Sequence, residues 1–162
     1  MTTNPKIVAL DKLSSRAADI RSAGKKLVAT NGCFDLLHVG HVRYLETART
    51  LGDALVVGIN GDESTRELKG DGRPINSAND RAEVIAALAC VDLVAIFPDV
   101  RAVRFLELAR PDIYVKGGDY TVDTLDKSER AVLEQSGAEI RIIPFQKGYS
   151  TSGMVNKLKQ QK

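Results

Sequence analysis

Short apolar runs alternate with stretches of helical spacing along almost the whole chain. The runs cover residues 27–30, 54–59, 93–97, 112–115 and 140–143, rich in Val, Ile and Leu without strict alternation. That texture predicts strands covered on both faces. Between them, Val42, Leu45, Ala48 and Leu51 mark one face of a helix, and Gly52 is placed as its left-handed C′ residue. Ser77-Ala78-Asn79-Asp80 reads as a capping-box start, with Asp for Glu or Gln, of a helix running to Leu88. Residues 100–109 and 127–136 add two helices. Residues 11–23 add an amphipathic helix within an N-terminal helical extension, 1–24. Strand, helix, strand repeated this way predicts an α/β fold: one Rossmann-like parallel sheet of five strands with helices on both faces. The 162 residues suit a single domain. Ligands of such sheets bind beyond the carboxyl ends of the strands, so the segments after each strand carry the chemistry.

Composition narrows the function classes. The net charge is +2 with both signs spread along the chain, which gives no broad basic surface for nucleic acid. No apolar run approaches the ~18–20 residues that span a bilayer. The first fifteen residues lack the apolar core of a secretory leader. Cys33 and Cys90 form no CxxC pair, so disulfide and metal readings are weak and packed thiols are expected. A cytoplasmic setting follows.

The first strand is followed by Asn31-Gly32-Cys33-Phe34-Asp35-Leu36-Leu37-His38-Val39-Gly40-His41 and then a helix. Both histidines of the chain fall in this one H-x-G-H unit. At ordinary glycine usage, random placement gives that pattern about once in a thousand sequences. Residues three apart at a helix start share one side of its first turn. Gly40 lets a ligand approach the backbone, and the free N–H groups with the positive dipole end favour an anion. Two imidazoles there can donate to phosphate oxygens. The competing reading, a metal pair, lacks further ligands.

The segment resembles the signature of the cytidylyltransferase-like nucleotidyltransferases, the HxGH nucleotidyltransferase fold. Residues 51–62, Lys116-Gly117-Gly118-Asp119-Tyr120 and Tyr149-Ser150-Thr151-Ser152 resemble that family's later landmarks, the last standing where it has an S-T motif opening its final helix. Leu68-Lys69-Gly70-Asp71-Gly72-Arg73-Pro74 and Val115-Lys116-Gly117-Gly118-Asp119-Tyr120 resemble most the branch that adenylylates heptose 1-phosphate, here without an accompanying kinase half. The resemblance implies AMP transfer from ATP, with Mg²⁺ carried on the triphosphate, to a sugar phosphate. It also implies a homodimer or higher homo-oligomer and no dedicated metal site. It assigns His38, His41 and Lys69 to catalysis. Asn31, Gly32, Cys33, Phe34, His38, Gly40, His41, Gly118, Asp119, Tyr149, Ser150 and Thr151 fall to the nucleotide. Asp35, Asn60, Asp62, Lys69, Lys116 and Lys147 fall to the acceptor.

Several of these residues have a second reading. Asp35 organises either the loop and sugar-phosphate pocket or its own turn. Asn60 and Asp62 contact a ligand or shape the turn after the second strand, and the turn is favoured for Asp62. Lys69 belongs to a basic loop over phosphates, while Arg73 and Arg81 are solvated or functional. Ser150 or Thr151 caps the last helix, which is compatible with binding phosphate. The chain also departs from related glycerol-phosphate cytidylyltransferases. Phe145 stands where they carry an arginine, with Lys147 as a substitute charge, and Gly118-Asp119 replaces an acidic pair. Another adenylyl- or cytidylyltransferase, of CDP-glycerol or FAD type, and a non-catalytic nucleotide-binding module are the alternatives.

Overall fold

The computed structural model describes residues 4–118, 120–144 and 147–161. Five parallel strands, β1 (Leu27–Gly32), β2 (Ala54–Asn60), β3 (Leu93–Phe97), β4 (Ile113–Gly117) and β5 (Glu139–Ile143), form one sheet in the order β3-β2-β1-β4-β5. Among the described residues the α-helices are α1 (Leu13–Ser22), α2 (Val39–Arg49), α3 (Asp62–Lys69), α4 (Ala78–Ala86), α5 (Val103–Ala109), α6 (Lys127–Ser136) and α7 (Thr151–Gln160). Among the described residues, no helix is long and apolar enough to cross a membrane.

Strands β1 to β4 are buried on both sides, which is why they read as apolar runs, while the edge strand β5 keeps Glu139 and Arg141 exposed. Leu27, Ala29, Val56, Ala95 and Tyr114 face one core with Leu13 and Ala17 of α1, Phe105 and Leu106 of α5 and Leu133 of α6. Val28, Leu55, Val57, Val94 and Val115 face the other with Tyr44, Leu45 and Ala48 of α2 and Ala82 and Ile85 of α4. The N-terminal helix is thus built into the first core, and a bridge from Ile7 to Val94 fixes the chain before it.

The two ends of the sheet do different work. At the amino end, carboxylates that precede strands accept from backbone at neighbouring strand starts. Asp53 takes the Lys26 N–H at 2.8 Å, Asp112 the Leu27 N–H at 2.7 Å and Asp92 the Leu55 N–H at 2.8 Å. At the carboxyl end the loop after β1 is held too, by Asp35 accepting from the Ile75 and Asn76 N–H groups at 2.9 Å. The order reverses between β1 and β4, so a crevice opens there.

Helix 127–136 and strand 93–97 match the sequence expectation, and Ser77 caps α4 by accepting from the Asp80 N–H at 3.2 Å. Several expectations change, and the helix expected over 100–109 begins only at Val103. Helix α4 ends at Ala86, not Leu88. Residues 62–69 form a helix instead of a turn and loop; this helix buries only Ser64 and Thr65, so it has no apolar stripe to announce it. Gly52 is not a left-handed C′ residue, and α2 ends at Thr50 with right-handed geometry. Glycine is needed there for proximity: a Cβ would lie 2.7 Å from Val28 Cγ2 and 2.8 Å from the Lys26 carbonyl.

Candidate active site

After Gly32 the chain crosses the carboxyl edge of the sheet. Phe34 adopts φ 48°, a left-handed conformation that disfavours side chains. The preceding carbonyl, Cys33 O, accepts from the buried Arg81 guanidinium at 2.5 Å, which holds the bend. The Phe34 ring then meets His41 edge-on at 5.5 Å. His38 is the extended N-cap of α2, and its ring stacks on His41 at 3.8 Å. A Cβ on Gly40 would stand 2.9 Å from the His38 ring and 3.0 Å from Tyr149 Cβ, so a side chain there would split the cluster.

The protonation of this pair follows from its contacts. The His38 backbone N–H donates to His41 Nδ1 at 3.2 Å. The neutral His41 ring therefore carries its proton on Nε2, the atom left to a ligand. His38 Nδ1 is buried with no hydrogen bond, so its useful nitrogen is also Nε2. Burial, then the neighbouring His38, then Lys69 hold His41 down at about 4. Burial alone lowers His38. Both rings are uncharged donors at neutral pH. Because the unfolded chain takes up a proton near 6.5 and the folded His41 does not, stability falls as pH drops from 6.5 towards 4. An imidazole ¹⁵N titration of the free protein should give a midpoint near 4 for His41. ATP should move that midpoint up, because a triphosphate favours the charged ring. A midpoint of 6.5 that ignores ATP would remove this account of the site.

The start of α7 closes on the same place from the other end of the chain. Ser150 caps it by accepting from the Gly153 N–H at 2.9 Å, and the Thr151 hydroxyl donates to the Leu36 carbonyl at 3.2 Å. The Tyr149 ring lies 6.3 Å from His38, and the Arg43 guanidinium lies 5.7 Å from the Tyr149 centroid. The two helix starts enclose a cavity of about 280 Å³ lined by His38, Gly40, His41, Lys69, Tyr149, Ser150 and Thr151.

Two further cavities adjoin it. One, about 520 Å³ and mainly polar, is walled by Asn31, Asn60, Arg101, Lys116, Asp126 and Glu129. The other, about 320 Å³, runs between them along residues 31–35, His41, Lys116 and Thr151. Lys69, the last residue of α3, lines all three. Lys116 is a half-buried cation: burial lowers its pKa, against the opposing charge of Glu129, and its Nζ sits 5.0 Å from the Tyr120 ring. It makes no hydrogen bond or ion pair among the described residues. Asn31 is fixed by the Tyr114 hydroxyl, which donates to its Oδ1 at 2.6 Å.

Most of the expected site residues therefore converge. Asn31, Gly32, Cys33, Phe34, Asp35, His38, Gly40, His41, Asn60, Lys69, Lys116, Tyr149, Ser150 and Thr151 each line at least one cavity. Asn60 does so with its amide nitrogen donated to Asp99 O at 3.1 Å. Three others line none of the cavities. Asp62 opens α3 and spends its carboxylate on Arg81 Nη2 and the Ala78 N–H, both at 2.8 Å. Gly118 donates its N–H to Ile143 O at 3.1 Å, and Lys147 is exposed. Asp119 and Phe145 lie outside the described residues. Arg73 and Arg81 are both clamped, on Asp35 and Asp62. Cys90 lines no cavity, and burial pushes its thiol up. Arg43, Tyr44, Thr47, Arg101, Asp126 and Glu129 line the cavities without having been expected from sequence. Tyr44 had a signal, since it lies one position from Leu45 on the apolar side of α2; the others are polar residues on helices or just before them, spelled like many solvated ones. Among the described residues, no group of three His, Cys, Asp or Glu is placed to hold a metal ion.

The profile of the cytidylyltransferase-like family matches residues 29–157, from inside β1 into α7 and across every cavity. The chain belongs to the cytidylyltransferase-like family. Relatives of this nucleotidyltransferase family include the bifunctional protein HldE of Citrifermentans bemidjiense, 47% identical over 96% of this chain, and that of Helicobacter pylori, 46% identical over 98%. The match takes up 32% of each of those proteins, so this chain spans about a third of their length. A solved structure of a lipopolysaccharide core biosynthesis protein from Thermoplasma volcanium is 30% identical, with TM-score 0.63, over 78% of this chain and 100% of that one. Pantoate-beta-alanine ligase from Francisella tularensis, solved with an ATP compound and beta-alanine, shares the fold at 14% identity and TM-score 0.59 over 91% of this chain and 69% of that one.

Proposed function

We propose that this cytidylyltransferase-like chain transfers AMP from ATP to heptose 1-phosphate, releasing pyrophosphate and forming ADP-heptose. The observation that carries the reading is the meeting of two helix starts, His38–Gly40 and Ser150–Thr151, in one cavity with Lys69. Helix starts and neutral imidazole donors suit a triphosphate. The adjoining polar cavity, with Lys116 unpaired in its wall, suits a second, phosphorylated substrate. The names of the relatives, a bifunctional protein and a lipopolysaccharide core biosynthesis protein, fit a heptose acceptor.

In this reading an oxygen of the acceptor phosphate attacks the α-phosphorus of ATP in line, the bond to the β-phosphate oxygen breaks, and pyrophosphate leaves. A phosphomonoester is already largely dianionic at neutral pH, by analogy with a second pKa of about 6, so no general base is needed. Among the described residues the first cavity accordingly offers hydroxyls, imidazoles and cations and no carboxylate. His38 and His41 hold the transferring and leaving phosphates through Nε2–H. Thr151 and the start of α7 hold the tail. Lys116 holds the acceptor phosphate, and Lys69 spans donor and acceptor. Rate enhancement comes from positioning and fixed dipoles. Mg²⁺ would travel on the triphosphate. The described residues put no carboxylate in the first cavity, a donor set that suits an ion held by phosphate oxygens and water. The proposed setting is the cytoplasm and the proposed assembly a homodimer, the commonest closed oligomer.

Pyrophosphate release tests the reading. With ATP, Mg²⁺ and heptose 1-phosphate the expected product is ADP-heptose, and CTP should serve at least about tenfold worse, about 1.4 kcal/mol of discrimination. A preference for CTP would make it a cytidylyltransferase. ATP binding without turnover on any sugar 1-phosphate would make it a binding module.

A further inference from the structure

The polar cavity contains a carboxylate that the transfer chemistry does not use. Glu129 lies on α6 and is only 5% exposed, yet it lines this cavity. One of its oxygens accepts from the Ala102 N–H at 2.7 Å. The other makes no hydrogen bond among the described residues and is not sealed from solvent, since His38 Nδ1 alone among their side-chain polar atoms is both sealed and unpartnered. A carboxylate this buried and half satisfied is costly unless a donor reaches it. The cavity is where that donor can enter.

The surroundings specify the donor. A carboxylate only accepts, and it repels phosphate, so it needs an uncharged hydroxyl or amine. Lys116 in the same wall attracts the phosphate that Glu129 repels. Of the other cations there, Arg101 is already joined to Asp126 at 3.3 Å, and Lys69 also lines the triphosphate cavity. The cavity therefore combines a cation for phosphate with a carboxylate for hydroxyl, close enough for the Glu129 charge to act on Lys116. We propose that Glu129 is the specificity-determining residue of the acceptor seat: its free oxygen accepts from a ring hydroxyl of the sugar whose phosphate lies on Lys116. This rests on the sugar-phosphate reading above. Glu129 touches no reacting atom; it selects which polyol sits in line and which way round.

The test compares wild type with Glu129→Gln on heptose 1-phosphate and its singly deoxygenated ring analogues. Glutamine keeps an oxygen for the Ala102 N–H, so the thermal midpoint and the KM for ATP should hold. The acceptor kcat/KM should fall about 10- to 100-fold, the range for losing a hydrogen bond to a charged group. One deoxy analogue should suffer a similar loss on wild type and little further loss on the variant. An unchanged acceptor kcat/KM, or losses that simply multiply for every analogue, would overturn the assignment. If Glu129→Gln does not fold, the analogues on wild type decide: one position must stand out, and a flat series refutes the contact. If wild type releases no pyrophosphate with heptose 1-phosphate, the reaction assignment fails by itself. Calorimetric affinity for heptose 1-phosphate, wild type against variant, then reads the same contact.

Discussion

His41→Ala is expected to lower kcat by about 10²- to 10³-fold while leaving the fold in place, the scale of removing one transition-state donor. The fold should survive because His41 is neutral and half-buried and holds no ion pair. Among the described residues its ring makes one hydrogen bond, accepted from the His38 N–H at the helix start, where water can take over. Catalysis should not survive, because Nε2–H is aimed by three independent contacts. The His38 N–H fixes the tautomer, the Phe34 ring meets the imidazole at 5.5 Å in a T-shaped arrangement, and the His38 ring stacks on it at 3.8 Å. A donor so constrained needs no reorganisation as charge moves to the leaving phosphate. His41→Gln, whose amide N–H can reach towards the Nε2 position, should recover part of the loss, and KM for ATP should change far less than kcat. Steady-state pyrophosphate release measures both. A full-rate His41→Ala protein would remove the imidazole from the mechanism.

The H-x-G-H cluster could be read before any coordinates because its chemistry is local: two residues three apart on a helix start must share a face. The strands could be read because burial on both sides leaves a continuous apolar run. What escaped was non-local or lacked an apolar signal. Helix α3 is polar except for the exposed Leu68, so Lys69 was expected on a loop, whereas it ends a helix that reaches all three cavities. Asp62 looked like a turn or ligand residue, but its partner Arg81 lies nineteen positions away and claims its carboxylate. Gly52 had the sequence context of a helix stop, yet its constraint comes from Lys26 and Val28 on a neighbouring element. Glu129 carries no mark in the sequence, since a buried carboxylate on a helix is spelled like a solvated one. The convergence of α2 and α7 had only the family resemblance in its favour, because no rule of spacing links residues more than a hundred positions apart.

Asp35→Ala should produce the largest loss of stability. The side chain is 1% exposed. Its carboxylate accepts from Arg73 Nε at 2.5 Å and from the Ile75 and Asn76 N–H groups at 2.9 Å. Removing it strands a mostly buried guanidinium and two backbone donors, a change that costs about 3–5 kcal/mol when the partners cannot reach water. Here Arg73 sits on a loop that can peel away, so about 2–3 kcal/mol is expected, or roughly 4–12 °C in a domain of this size. Peeling has a functional cost too, because the same loop begins at Lys69. Without its anchor the lysine loses its place between donor and acceptor, and kcat should fall together with stability. The pH dependence separates this account from simple cavity creation. Burial pushes the Asp35 carboxyl up, but the Asn76, Ile75 and Arg73 contacts outweigh it and leave the pKa below 3.8. A lowered carboxylate pKa contributes stability that is complete above the ordinary value and is lost as pH falls through the folded one. Urea melts at pH 7 should show the full gap between wild type and Asp35→Ala, and melts at about pH 3 should show it shrinking. A gap that stayed constant with pH would mean that the side chain acts through its volume and not through its charge.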